Sequence, residues 1–258
     1  MTYLDIAFRC VEETDDIFSK GFEEKKEITH KGVVDLVTTV DKAVEDKVIE
    51  IIHSEYPDHD ILAEESHESQ RSSPYRWIID PLDGTTNFAH NVPHFALSIA
   101  LEYNDELILG LVYQPISGEL FHAEKGKGAF LDDEPIKVST VPDLPQSLLA
   151  TGFPYDRHQY ADLYISELKL FMEKAQGIRR AGVASLDLCY VACGRYDGFW
   201  ERKLNPWDVA ASLVILSEAG GQSSQFDGKT YSLKDQTMIA SNSLIHKEMQ
   251  VILSSSTA

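Results

Sequence analysis

The spacing of hydrophobic positions divides the chain into two stretches of different character. Leu4, Ala7, Phe8, Val11 and Phe18 recur at helical intervals and predict an amphipathic helix from Leu4 to Ser19. A stronger helix is predicted from Asp41 to Glu55, where Val44, Val48, Ile51 and Ile52 form an apolar stripe opposite Glu and Lys, and Pro57 ends it. DILAEES then reads as a short strand running into an acidic turn. Four strand-like runs follow, YRWIID, HFALSIALEY, LILGLVYQP and GELFHAEKG, with a hairpin expected at YNDE and a turn at QPISG. KGKGAFLDDEPIKVS continues this meander.

The pattern changes at TVPDLPQS, Thr140 to Ser147, where two prolines punctuate the chain. Beyond it strands and helices alternate. SLLATGF precedes a helix from about Tyr160 to Lys174, and GIRRAG precedes a helix over roughly Leu186 to Cys193. The strand YDGFWER leads to a helix in PWDVAASLVILSEAGG, with Pro206 at its start and Gly220 after its end. TMIASN and a last helix close the chain. The fold class expected is α+β followed by α/β, in two subdomains, 1–140 and 141–258, with a cleft between them.

Composition narrows the picture. With 43% hydrophobic and 25% charged residues, the chain has the ordinary balance of a soluble globular protein. No stretch approaches the roughly 18 consecutive apolar residues of a membrane span. The N-terminus lacks a basic region followed by an unbroken apolar run, so a signal peptide is not expected and a cytoplasmic location is. Cys10, Cys189 and Cys193 do not make a disulfide framework; Cys189 and Cys193 share a helix face and are expected to pack there as small hydrophobes.

Charge changes the picture more. Lys and Arg number 23 against 42 Asp and Glu, a net charge of −19. Such a field argues against duplex nucleic acid or an anionic membrane as partner. It would also repel an anionic small substrate unless a cation reversed it locally.

Four acidic spots stand at strand ends or helix starts: Asp41 in LVTTVD, Glu64 with Glu65 in LAEES, Asp80 and Asp83 in IDPLDGTT, and Asp208 in NPWDVAA. Each has an ordinary explanation alone. Asp, Pro and Gly are turn formers, Glu64 reads as a solvated carboxylate, and Asp41 and Asp208 suit the first turn of a helix. Together they suit a hard cation, since Mg²⁺ takes a few carboxylates and keeps several waters. Asp80 and Asp83 flank a rigid proline turn and can bridge two ions, with the Leu82 carbonyl as a further oxygen. If a helix starts at Gly84-Thr85-Thr86, its free N–H groups can meet phosphate oxygens, and Thr85 offers a hydroxyl to orient a water.

Other motifs are weaker or missing. His90 and His94 are separated by Pro93 and read as structural, and the histidines show no zinc spacing. Gly-x-Gly-x-x-Gly, Walker A and G-x-S-x-G patterns do not occur.

At these residues the chain resembles the inositol monophosphatase family of magnesium-dependent, lithium-sensitive phosphatases. WIIDPLDGTTNFAHNVPHFALSIAL and PWDVAASLVILSEAGG carry the resemblance, and DLVTTVDKAVE, ILAEES, KGKGAFLDDEPIKVS and LATGFPYD match in order. The resemblance implies a layered α-β-α-β-α sandwich of the inositol monophosphatase and fructose-1,6-bisphosphatase type, with the active site between its subdomains. It also implies two or three Mg²⁺ ions held by Glu64, Asp80, Leu82, Asp83 and Asp208. Asp41 and Thr85 match the pair that orients the attacking water, with Glu64 leaning on a looser third ion. The substrate side matches Asp83, Gly84, Thr85, the loop Gly182, Val183 and Ala184, and Glu201, which meets hydroxyls of the alcohol part.

Three departures are visible. Val183 stands where the family usually has Ser or Thr, Ser212 where glycine is common, and only 16 residues separate Glu64 from Asp80, which predicts a trimmed loop. The activity implied is hydrolysis of a phosphate monoester, with myo-inositol 1-phosphate first. Fructose 1,6-bisphosphate, histidinol phosphate, 3′-phosphoadenosine 5′-phosphate and NADP are substrates of similar relatives. A homodimer is implied as well. A reading from another class is a non-catalytic partner of the transcription machinery, as some bacterial relatives resemble.

Overall fold

A computed structural model describes residues 1–24, 28–30, 36–66 and 71–254. Part of the interval from Glu64 to Asp80, where a trimmed loop is expected, therefore lies outside the described residues.

The first helix, α1 (Tyr3–Glu23), and the second, α2 (Thr39–Glu55), lie where the apolar periodicity places them. Thr2 and Thr38 cap them, each paired with the Asp three residues on. Two short strands, β1 (Ile28–His30) and β2 (Leu36–Thr38), pair antiparallel ahead of α2 and have no counterpart among the predicted elements.

Seven strands then form one sheet in sequence order: β3 (Asp60–Ala63), β4 (Tyr75–Asp83), β5 (Ala96–Tyr103), β6 (Glu106–Gln114), β7 (Glu119–Glu124), β8 (Ala129–Leu131) and β9 (Glu134–Ile136). All neighbours are antiparallel except the pair β3–β4. The predicted hairpin at YNDE forms because Asn104 and Asp105 accept positive φ, the requirement of a tight two-residue turn, and Asp132-Asp133 repeats the device.

The second half builds a five-stranded sheet in the order β11-β10-β12-β14-β13. Its strands are β10 (Leu148–Thr151), β11 (Gly177–Arg179), β12 (Gly198–Arg202), β13 (Gln222–Ser224) and β14 (Thr237–Ser241). β10 runs parallel to both β11 and β12, whereas β14 is antiparallel to β12 and β13. The helices are α3 (Thr85–Ala89), α4 (Arg157–Met172), α5 (Ala184–Ala192), α6 (Pro206–Glu218) and α7 (His246–Ser254).

Strand alternation sets the layers. Trp77 and Ile79 face α1 and α2, while Ile78 between them joins the core of α5 and α6. That same core takes Ala150, Phe199 and Ala240 from the second sheet, whose opposite face sends Leu149, Trp200 and Ile239 toward α4 and α7. The result is the α-β-α-β-α sandwich expected from the sequence. α5 and α6 form its middle layer, and α6 crosses the first sheet where Gly110 lies so close to Ala211 that a Cβ would meet the helix backbone. Ser212 is fully buried there and donates to the Ser185 carbonyl at 3.0 Å, tying α6 to α5. Cys189 is buried in the same layer as a free thiol, as helix packing predicts. Among the described residues no helix is long and apolar enough to cross a membrane.

Candidate active site

The end of β4 supplies the first pair of acids. Pro81 has no N–H to give the ladder, and between Asp80 and Asp83 the strand carries one more residue than its partner, which runs from Ser98 to Ala96. The bulge brings Asp80, the Leu82 backbone and Asp83 to one cavity, while the Leu82 side chain stays in the core. Asp80 Oδ1 accepts from the Leu82 N–H at 3.0 Å. Asp83 Oδ2 accepts from the Ser185 N–H at 2.8 Å, on the first turn of α5, which links the two halves of the molecule.

Glu64 reaches the cavity from the turn after β3, and Asp208 reaches it from the first turn of α6. Asp208 also accepts from the Asn205 N–H at 2.7 Å, so its helix-start role and its place in the site coexist. Asp41 does the same on α2: fully buried, it accepts from the Thr38 N–H at 2.8 Å and from the Thr38 hydroxyl. It does not line the cavity. It meets the site through Thr85, whose Oγ1 lies 3.2 Å from Asp41 Oδ1 and 3.0 Å from the Leu82 carbonyl. The sequence-predicted pair is therefore in contact across 44 residues.

Burial and then repulsion disfavour charge on this group. Burial, with Glu64, Asp83 and Asp208 nearby, holds the Asp80 carboxyl well above the usual carboxylate range. Burial and Asp83 do the same to Asp208. Burial lifts Asp83 to about 6 against the opposing hydrogen bond from Ser185. Among the described residues no three His, Cys, Asp or Glu side chains close into a ready-made metal cage. Uncompensated carboxylates repel, and here Glu64, Asp83 and Asp208 all bear on Asp80. The donor set is all oxygen, and a divalent cation would relieve the repulsion; in that chemistry it fits Mg²⁺.

The cavity encloses about 190 Å³, and its second wall comes from the other sheet. The parallel strands β10, β11 and β12 end there, and the cavity is lined from within the stretches 152–157, 180–184 and 201–205 at their C-terminal ends, the usual ligand side of parallel strands. Gly182 has φ +85°, which favours glycine. Gly84, the N-cap of α3, has φ +95°, and a Cβ on it would come within 2.8 Å of Val183 Cγ2. Val183 itself is 1% exposed, so its side chain shapes the wall more than it meets ligand. Ala184 opens α5 beside it.

Glu201 projects from β12 into the cavity, and burial first, then Asp187, raises its carboxyl to about 8. A Cβ on Gly152 would run into that carboxylate. Gly152→Ala is therefore expected to swing Glu201 aside. The backbone there needs no positive φ, so stability should change little, while substrate KM rises about tenfold, near the upper worth of one hydrogen bond. Thermal melts beside Michaelis kinetics check this; an unchanged KM would remove Glu201 from substrate contact.

Several cavity residues were not singled out from the sequence. Asn87 donates to the His94 carbonyl at 2.8 Å and to the Ala181 carbonyl at 3.0 Å, clamping α3 to the glycine loop. Arg157, Arg180, Arg202 and Lys203 give the second wall a cationic edge. Asp187 is buried beside Glu201, with Oδ1 unpartnered. YDRHQ, GIRRAG and WERK hold these cations in plain sight, but no spacing marks them as converging. His90 lies at the end of α3 and does not line the cavity.

The model of the inositol monophosphatase family matches residues 2–257. An inositol-1-monophosphatase from Synechocystis is 46% identical over 255 residues, which make up 98% of this chain and 88% of the relative. A protein named Nus factor SuhB from Escherichia coli is 44% identical over 95% of this chain and 93% of its own. The crystal structure of the extragenic suppressor protein suhB from Bartonella henselae superposes with a TM-score of 0.92 at 37% identity, covering 97% of each chain.

Proposed function

Because the chain belongs to the inositol monophosphatase family, we propose that it is a Mg²⁺-dependent phosphatase that hydrolyses a phosphate monoester, with myo-inositol 1-phosphate as the first candidate. The observation that carries this is the convergence of Glu64, Asp80, Asp83 and Asp208 on one cavity, beside the Asp41–Thr85 contact.

Glu64, Asp80, the Leu82 carbonyl, Asp83 and Asp208 would hold the ions, two or three per site. Bound Mg²⁺ supplies positive charge to the phosphoryl oxygens and acidifies water. The protein's own groups do the rest. Thr85 Oγ1 accepts a proton from the attacking water as its own passes to Asp41 Oδ1, a relay the 3.2 Å contact allows. The Gly84 and Thr85 backbone at the start of α3 orients the phosphoryl group, with Asp83 at its edge. Gly182, Val183 and Ala184 lie against the alcohol part, and Glu201 hydrogen-bonds its hydroxyls. Fructose 1,6-bisphosphate, histidinol phosphate, 3′-phosphoadenosine 5′-phosphate and NADP are the alternative substrates. The division at residue 140 is proposed as the subdomain boundary, with one large sheet on either side. A cytoplasmic homodimer completes the proposal.

Phosphate release from a panel of these monoesters, with Mg²⁺ and with chelator, tests it. The expected result is turnover only with Mg²⁺, lost in Asp83→Asn; no cleavage of any ester at any Mg²⁺ concentration would sink the phosphatase reading. A second reading, a partner of the transcription machinery, is favoured by the relatives named Nus factor SuhB. The net charge of −19 gives no support to direct RNA contact, so such a role would rest on protein surfaces. Capture of RNA polymerase by Asp83→Asn as well as by wild type would separate that role from catalysis.

A further inference from the structure

The eight arginines of this chain are not used alike. Arg9, Arg71, Arg76, Arg195 and Arg202 each stand within 4 Å of a carboxylate. Among the described residues, Arg157, Arg179 and Arg180 do not, and two of these three, Arg157 and Arg180, line the cavity. Acids outnumber bases by 42 to 23, so an arginine with no carboxylate partner is the exception. The remaining cations of that wall are engaged: Arg202 with Glu167 at 2.6 Å, and Lys203 with Asp156.

Arg180 is nonetheless positioned. Its guanidinium lies over the Phe153 ring, 5.8 Å from the centroid, and Nη1 occupies the space a Cβ on Gly182 would fill, 2.5 Å from it. Arg157 is half-buried at the first position of α4, directly after the Gly152 segment that flanks Glu201. Both guanidiniums belong to the wall opposite the acid set, on the side assigned above to the alcohol part. A neutral polyol offers hydroxyls, which Glu201 can satisfy, and leaves Arg157 and Arg180 without a direct carboxylate contact, although Arg180 is near enough to oppose the upward push on the Glu201 and Asp187 carboxyls. A guanidinium fork matches phosphate or carboxylate geometry.

We propose that the preferred substrate is a phosphate monoester carrying a second anionic group on its alcohol part, bound by Arg157 and Arg180. This rests on the phosphatase reading above and, within it, ranks the doubly anionic esters ahead of myo-inositol 1-phosphate. Elsewhere the field of a −19 protein repels added negative charge, so two guanidiniums with no carboxylate in direct contact make a local selectivity filter at this wall.

Matched synthetic esters test it: the monophosphate of a linear diol, its bisphosphate, and the phosphate of the corresponding hydroxy acid, at chain lengths of about three to six carbons. The wild type with Mg²⁺ is expected to favour one dianionic series by about tenfold in kcat/KM at its best length, the worth of a charge-assisted hydrogen bond. Whether bisphosphate or phosphate-carboxylate leads identifies the second group. In Arg157→Gln/Arg180→Gln that ratio should collapse toward one, and Arg157→Lys, which keeps charge and loses the fork, should fall between. Melting temperatures establish that the variants are folded. Equal kcat/KM for all three series in the wild type, or a ratio retained in the double variant, would overturn the proposal. If no ester is cleaved, the phosphatase reading fails by itself, and equilibrium dialysis of alkyl mono- and bisphosphonates decides this one. Tighter bisphosphonate binding that the double variant loses supports the arginine site; equal binding refutes it.

Discussion

Asp80→Asn is expected to stop phosphate release and, in the same protein, to raise the melting temperature of the metal-free form. Asp80 is 2% exposed, and its charge faces those of Glu64, Asp83 and Asp208. Without a cation this arrangement works against folding. The amide keeps the side-chain oxygen that accepts from the Leu82 N–H and adds a donor toward Glu64, while removing one repelling charge. A gain of about 1 kcal/mol would appear as a rise of roughly 2–4 °C for a chain of this size. The two forms should separate in Mg²⁺. The wild type gains stability as the ion saturates its site, about 2.7 kcal/mol at a hundredfold excess over Kd, and the variant gains little. Activity should fall by about 10³-fold or more, because each such factor corresponds to several kcal/mol of charge stabilisation. Calorimetry with and without Mg²⁺, beside a phosphate assay, reads both effects. A lower metal-free melting temperature with an intact Mg²⁺ response would make Asp80 a structural turn acid.

The second large effect is expected at Asp41, which does not line the cavity and meets it through Thr85. Asp41→Asn keeps one oxygen for the Thr38 N–H, so the capping of α2 survives and the stability cost should stay near 1 kcal/mol. The variant cannot take a proton. If the carboxylate draws the proton that Thr85 relays, kcat falls by about 10²–10⁴-fold with KM little moved. Thr85→Val should give a similar loss, and the double variant should be scarcely worse than either alone, because the two act as one unit. Losses that multiply would show that the 3.2 Å contact has no part in the chemistry.

Much of the architecture was legible in the chain because its elements carry their own punctuation. The stripe Val44, Val48, Ile51 and Ile52 located α2 to within two residues at its start, Pro206 and Gly220 bracketed α6, and Asn104-Asp105 marked a hairpin. β13 was not foreseen: QSS has no alternation to read, and its place depends on pairing with β14. β4 was predicted to stop at Asp80 and runs on to Asp83, because a bulge lets a strand continue past a proline that periodicity treats as a break. In the candidate site the acids stood out because carboxylates at strand ends are conspicuous in an apolar context. Arg157 and Arg180 did not, since a surface arginine and one that faces a cavity look identical in one dimension.

The sequence by itself therefore determined the local elements and a set of acids with one chemistry in common. It did so because helix stripes, strand alternation, turn residues and acid placement are short-range properties. Only the tertiary structure decided that Asp41 meets Thr85, that Ser185 of α5 holds Asp83, and that Gly152 yields its space to Glu201. It alone set two arginines without carboxylate partners on the wall opposite the acids. Those facts depend on the order of two sheets and on helices packed between them, which bring residues more than a hundred positions apart to one cavity.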